Sequence, residues 1–118
     1  MDQPMASRLA QEWFEAWNRH DLDAILAHYA EDVEFQSPFI TKLLGDPSGK
    51  IVGKEALRVY FAKGLQAYPD LHFEPIQTLL GLDSIVLYYR SVNQLLSAEL
   101  MVLNEQGLVI QVKAHYSS

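Results

Sequence analysis

The segment from Trp13 to Pro38 places the strongest constraint on how this chain of 118 residues folds. Aromatic residues at three- and four-residue spacing indicate an amphipathic helix, which a polar Asn-Arg-His-Asp break separates from a second, short helix. From Asp32 the apolar residues alternate with polar ones, as in a strand with one buried face, and Pro38 ends that pattern. Two helices that lead into a half-buried strand predict a cup, in which helices lie on a curved sheet.

Beyond this segment the chain predicts one more helix, over residues 54–67, and a run of strands. Residues 39–53, which contain a cluster of Gly, Asp, Pro and Ser, are interpreted as a turn or flexible loop. The order of elements indicates a single α+β domain spanning residues 1–118, with three helices on the concave face of a strongly curved, mainly antiparallel sheet. The later strands are expected over residues 71–80, 84–94, 97–104 and 108–116. Residues 81–83 and 104–107 have the chemistry of hairpin turns, whereas the turn near Gln94 has no such signal.

Composition and charge exclude several classes of function. The net charge is -6 and the basic residues are scattered, which argues against nucleic acid and against an anionic membrane as partners. The chain has no cysteine, and its four histidines lack metal-ligand spacing, so we expect neither a metal nor a cofactor. No apolar run approaches the roughly 18 residues of a membrane span, and the first residues lack the apolar core of a signal peptide. A cytoplasmic location is therefore expected.

Glu99 is the acidic residue best placed for chemistry. It shares a strand face with Met101 and Leu103, so its side chain is expected to point into an apolar interior. Burial disfavours the ionised carboxylate and raises its pKa, which would let Glu99 donate a hydrogen bond or exchange a proton near neutral pH. The alternative is an exposed Glu99 that pairs with Arg90 on the neighbouring strand.

Three stretches carry a likeness to a known family: AWNRHDLDAILAHYAEDVEFQSP, GKEALRVYF and AELMVLNEQGLVIQVKAHY. In these stretches, and in its order of elements, the chain resembles the nuclear transport factor 2-like (NTF2-like) superfamily, in its SnoaL-like and ketosteroid-isomerase-like branch. The resemblance implies a cone-shaped, cystatin-like fold with an internal pocket. It leaves the activity open, because the superfamily includes isomerases, cyclases, hydrolases, dehydratases and proteins without known catalysis.

Carried over residue by residue, the resemblance implies an altered site. The family's general base, an Asp just before the proline that ends the first strand, corresponds to Ser37. Its two oxyanion-hole donors, a tyrosine and a protonated Asp, correspond to Trp13 and Glu99. The tyrosine pair that supports them corresponds to Tyr29 and to Phe61, which lacks the hydroxyl group. Because the base is missing, steroid isomerisation by the family's mechanism is not expected.

Two hypotheses of function remain open, together with a third that needs no pocket. The chain is an isomerase- or cyclase-like enzyme with Glu99 as its catalytic acid and base, or its pocket binds a small, largely apolar molecule without chemistry. The third hypothesis is a non-catalytic assembly domain that uses the convex sheet face. That face would carry Leu100, Val102 and one of two adjacent tyrosines, which is unusually apolar, and the resemblance implies a homodimer through it. The expected pocket residues besides Glu99 are Trp13, Trp17, Tyr29, Phe35, Ser37, Tyr60, Phe61, His72, Tyr89, Met101 and Tyr116.

Some of these residues also have a purely structural interpretation. Trp13 and Trp17 are expected as core side chains if no ligand contacts them, since most buried indoles have their N–H bonded within the protein. Ser37 is expected to cap the end of its strand before Pro38 if it does not contact a ligand. The choice between these interpretations depends on where the side chains lie.

Overall fold

The computed structural model describes residues 2–118, which form four α-helices, a 3₁₀ turn and six strands. The helices are α1 (Gln3–Asn18), α2 (Leu22–Leu26), α3 (Pro38–Leu44) and α4 (Lys54–Ala67). The strands are β1 (Tyr29–Gln36), β2 (Lys50–Val52), β3 (Glu74–Leu80), β4 (Ser84–Arg90), β5 (Leu96–Leu103) and β6 (Val109–Tyr116), and the 3₁₀ turn is Val92–Gln94.

Helix α1 begins and ends at polar side chains that bond to backbone groups. The Asp2 carboxylate accepts a hydrogen bond from the Met5 N–H at 2.9 Å and so caps the first turn. At the other end, the amide of Asn18 donates to the Phe73 carbonyl at 3.0 Å and accepts from the Phe73 N–H at 2.7 Å. This paired bond fixes α1 against the start of β3. The apolar stripe of α1 faces the sheet and includes Ala6, Ala10, Trp13, Phe14 and Trp17.

The six strands form one sheet in the order β2-β1-β6-β5-β4-β3. The β1–β6 pair is parallel and the other pairs are antiparallel. Register shifts interrupt the β1–β6, β3–β4 and β5–β6 pairs, and such bulges bend and twist a sheet. The sheet therefore curves around the helices without closing, which confirms the expected α+β fold.

Residues 39–53 differ from the expected loop, because they contain most of helix α3, which was not expected, and the short strand β2. The Ser37 hydroxyl accepts a hydrogen bond from the Phe39 N–H at 3.1 Å, and Pro38 occupies the first turn, where its missing N–H costs nothing. Gly45, with φ of 71°, ends helix α3 in the left-handed conformation. Strand β2 then pairs antiparallel with β1. Helix α3 packs against α4 and β6.

The alternation of β4 and β5 separates an inner face from an outer face. Leu87 pairs with Glu99, and both are buried on the inner face beside Tyr89. Tyr88 points to the outer face, so the two adjacent tyrosines have different environments. In β6 the bulge places Val109 inside and leaves Ile110 half-buried, although simple alternation puts Ile110 on the inner face.

Across residues 2–118, every helix is too short or too polar to cross a membrane.

Candidate functional site

An aromatic cavity of about 60 Å³ lies between helices α1, α3 and α4 and the inner face of the sheet. Rings dominate its wall, and their edge-to-face contacts hold them in place. Its partly exposed lining residues, among them Leu43, Gly64, Tyr68 and Val92, mark the mouth. Eight of the residues expected at the pocket line this cavity: Trp13, Trp17, Phe35, Tyr60, Phe61, Tyr89, Glu99 and Tyr116.

Glu99 is the carboxyl group of the cavity wall. Its side chain is buried, with 3% of the residue exposed, and the Tyr89 hydroxyl donates a hydrogen bond to Oε1 at 2.7 Å. Burial raises the pKa of Glu99 to about 7, and the hydrogen bond from Tyr89 offsets part of that rise. Arg90, the partner in the alternative interpretation, instead donates to the Gln94 carbonyl at 2.9 Å on the surface. Glu99 is therefore a buried carboxyl that titrates near neutral pH.

Phenol groups surround this carboxyl. Burial and the charge of Glu99 raise the pKa of Tyr89, Tyr60 and Tyr116, so their hydroxyls stay protonated at neutral pH. The Ser37 hydroxyl lies near the phenols of Tyr60 and Tyr116 and acts on their pKa in the opposite direction. The wall around Glu99 thus offers neutral hydrogen-bond donors.

Ser37 lies behind this wall and does not line the cavity. It is buried, and its hydroxyl caps helix α3 through the Phe39 N–H. The sequence predicted that Ser37 caps the end of its strand if it contacts no ligand. In the structure its side chain instead caps the helix that follows that strand. A hydroxyl in this position has neither the charge nor the basicity of a carboxylate.

Trp13 and Tyr29 form an internal pair. The Trp13 Nε1–H donates to the Tyr29 hydroxyl at 2.9 Å, and both residues are buried. Trp13 therefore gives the cavity a flat ring wall, while its N–H is already bonded. Tyr29 and Met101, which were expected at the pocket, are buried behind the lining residues. Alternation predicts which face a side chain takes, but not its depth below the cavity surface.

His72 is exposed, so its expected place in the pocket is wrong. Its neighbours Leu71 and Phe73 take the inner positions and line the cavity. The paired bond between Asn18 and the Phe73 backbone holds that ring inward. In an extended segment the residue between two inward side chains points outward, which leaves His72 in solvent.

Several lining residues were not expected at the pocket, partly because the predicted strands 71–80 and 84–94 extend beyond β3 and β4. Phe39 and Leu43 come from helix α3, whose cap at Ser37-Pro38 and apolar spacing were readable signals. The others follow α4 or precede β5, where chain reversals determine the position and no local pattern does. They are Tyr68, Leu71, Phe73, Ser91 and Val92.

The comparisons with known proteins agree with this architecture. The SnoaL-like domain model matches residues 10–99. A SnoaL-like protein of unknown function from Burkholderia thailandensis has a similar structure, with a TM-score of 0.95 and 43% identity over 99% of this chain and 98% of that chain. The chain therefore belongs to the SnoaL-like domain family, within the NTF2-like fold. No match is found among the curated proteins.

More distant structures share the fold. A proposed ketosteroid isomerase from Kribbella flavida is 21% identical, with a TM-score of 0.74 over 99% of this chain and 81% of that chain. An epoxide hydrolase/cyclase-like enzyme with a role in pyran-ring formation in the polyether salinomycin is 19% identical, with a TM-score of 0.76 over 98% and 93% of the two chains. At these identities the likeness extends to the fold alone.

The raised pKa of Glu99 predicts a specific dependence of stability on pH. The folded protein keeps a proton that the unfolded chain releases above about pH 4.5, so stability falls as the pH rises from that value through about 7. At about 1.4 kcal/mol for each pH unit, the loss amounts to roughly 3 kcal/mol. Denaturant unfolding of wild type and Glu99→Gln at each pH measures it, since the variant carries no charge at this position.

The difference between wild type and variant is the quantity to compare, because burial lowers the pKa of His28 and so gives the folded protein a second pH-dependent contribution to its stability. Glu105→Gln is the control, since Glu105 is exposed in the turn before β6 and its removal should leave the wild-type profile unchanged. If Glu99→Gln shows the same loss of stability with pH as wild type, Glu99 does not hold a proton near neutral pH.

Proposed function

We propose that this protein binds a small, largely apolar molecule with an oxygen function in the aromatic cavity, and that Glu99 exchanges a proton with it. The observation that carries this proposal is the buried Glu99 carboxyl on an otherwise ring-lined wall. Such a site fits isomerase- or cyclase-like acid/base chemistry, because a catalytic acid or base works best when its pKa lies near the working pH.

The protonation state of Glu99 supports both directions of transfer. With a pKa of about 7, the carboxyl is half ionised at neutral pH, so it can remove a proton and return one. Ser37 supplies no second carboxylate, so one group would perform both steps on the same bound molecule. The phenols of Tyr60 and Tyr116 stay neutral and are available as donors to an oxygen that gains negative charge.

The size of the cavity limits the ligand. About 60 Å³ is well below the roughly 300–1,000 Å³ of common small-molecule pockets. A molecule with a single small ring suits this space, whereas a polycyclic one requires the side chains at the mouth to move. Among the mouth residues, Leu43 and Tyr68 have long side chains that are partly exposed.

Hydrogen exchange in a small ketone tests this proposal. In D₂O the protein should accelerate deuterium uptake at the carbons beside the carbonyl of cyclopentanone, with a rate that rises through about pH 7 as Glu99 ionises. Glu99→Gln should lose the acceleration by about a hundredfold or more, as expected for loss of a general base. Proton NMR follows the exchange, and Glu105→Gln serves as the matched control. Equal exchange rates in wild type and Glu99→Gln would contradict proton exchange by Glu99, and only the binding of an apolar molecule would remain of the proposal.

We also propose a homodimer through the outer face of the sheet. Val86 faces Leu100 and Ser84 faces Val102 on that side, and the apolar members of these pairs are only half-buried. Together with Tyr88 they form an apolar patch on the antiparallel sheet, and patches of this kind mark interaction sites. A symmetric pair of copies would cover it with the same surface from each side.

Light scattering on a sizing column tests the dimer. Wild type should elute as a dimer at micromolar concentration, and Leu100→Lys should shift it to a monomer by placing a charge in the centre of the patch. Val59→Lys is the control, because Val59 is exposed on helix α4, away from the sheet. A monomeric wild-type protein would contradict the proposed interface.

A further inference from the structure

We infer that the indole N–H of Trp17 binds an acceptor oxygen, carbonyl or ether, of the molecule in the aromatic cavity. This inference rests on the proposed function, since it needs the cavity to hold a ligand. It adds a specificity determinant on the helix side of the cavity, across from the carboxyl on the sheet.

The two tryptophans of this chain provide an internal comparison. Both line the cavity from helix α1, one turn apart. The Trp13 N–H is bonded to the Tyr29 hydroxyl at 2.9 Å, whereas the Trp17 Nε1 is buried with no hydrogen-bond partner among residues 2–118. A buried N–H without an acceptor is unfavourable and uncommon in folded proteins, so it calls for a partner that the chain itself does not supply.

The surroundings of Trp17 explain why the chain leaves this donor open. Its ring contacts Phe61 at 4.8 Å between centroids, Phe73 at 5.4 Å and Trp13 at 6.0 Å. None of these rings carries an acceptor oxygen or nitrogen, and the face of a phenyl ring is a weak substitute. Tyr29 and Tyr89 contact the Phe61 and Phe73 rings, but neither hydroxyl bonds to the Trp17 N–H.

The two polar positions together define the chemistry of the ligand. An acceptor oxygen would bond to Trp17, and a hydroxyl or an acidic C–H would face Glu99, with an apolar body between the rings. A donor-only group would leave the indole N–H unpaired, and a hydrocarbon would leave both positions unpaired. The cavity should therefore prefer a ketone or cyclic ether to the hydrocarbon of the same shape.

Proton–nitrogen NMR of the indole groups tests this inference directly, because the chain gives only two such signals. Trp17→Phe assigns them, since it removes one N–H and keeps an aromatic ring. On addition of cyclopentanone to wild type, the Trp17 indole proton should move downfield as it gains a hydrogen bond, while the Trp13 signal should move little. Cyclopentane, the matched ligand without oxygen, should not cause the downfield shift.

Affinity provides the second measurement. Trp17→Phe should bind cyclopentanone about two- to tenfold more weakly than wild type, which corresponds to the loss of one hydrogen bond. Its affinity for cyclopentane should change less, because that ligand reports the altered ring contacts alone, so the ratio of the two affinities isolates the hydrogen bond. If the variant does not fold, triple-resonance spectra assign the two indole signals, and the wild-type NMR comparison of the two ligands decides.

The outcomes separate this inference from the proposed function. If both ligands shift cavity signals such as those of Phe61, but the Trp17 indole proton responds equally to each, the cavity binds apolar molecules and the Trp17 inference is overturned. An upfield indole proton that neither ligand moves would assign the N–H to the Phe61 ring face and overturn it as well. If neither ligand binds, the proposed function fails together with this inference.

Discussion

The burial of the Glu99 carboxyl is the constraint on which the rest of the site depends. An ionised carboxylate without a cation is costly to bury, so the protein holds this group near the balance between its neutral and charged forms. The hydrogen bond from Tyr89 stabilises the carboxylate partly, and the phenols of Tyr60 and Tyr116 remain neutral beside it. The aromatic wall keeps solvent away, and thereby maintains the raised pKa.

The serine at position 37 changes what the end of β1 does in this fold. Where the resemblance implies a basic carboxylate, the Ser37 hydroxyl caps helix α3, and α3 in turn places Phe39 over the cavity. The same substitution therefore removes a base and helps to enclose the space. In the proposed function this arrangement leaves proton transfer to Glu99 alone, because Glu99 is the carboxyl that lines the cavity.

Sequence reasoning was most accurate where a periodic pattern covered a whole element. Helix α4 matches its expected bounds, and alternation along β5 correctly indicates that Glu99 faces inward. It failed for residues 39–53, because the dense glycine and proline signal near Gly45 outweighed the helix cap at Ser37. The sequence also did not predict how far a side chain lies from the cavity surface: Tyr29 and Met101 are on the inner side of the sheet but behind the residues that line the cavity. Depth depends on contacts between distant segments, which a local pattern does not encode.

The pKa of Glu99 is the quantity that tests this account most directly. Carbon NMR of protein labelled at the glutamate side-chain carboxyl, with Glu99→Gln to assign the signal, follows its titration separately from every other group. The account predicts a midpoint near pH 7, and a higher one in Tyr89→Phe, because that variant lacks the hydrogen bond that lowers the pKa. A midpoint near the ordinary value of 4.5 in wild type would contradict a buried, proton-exchanging Glu99.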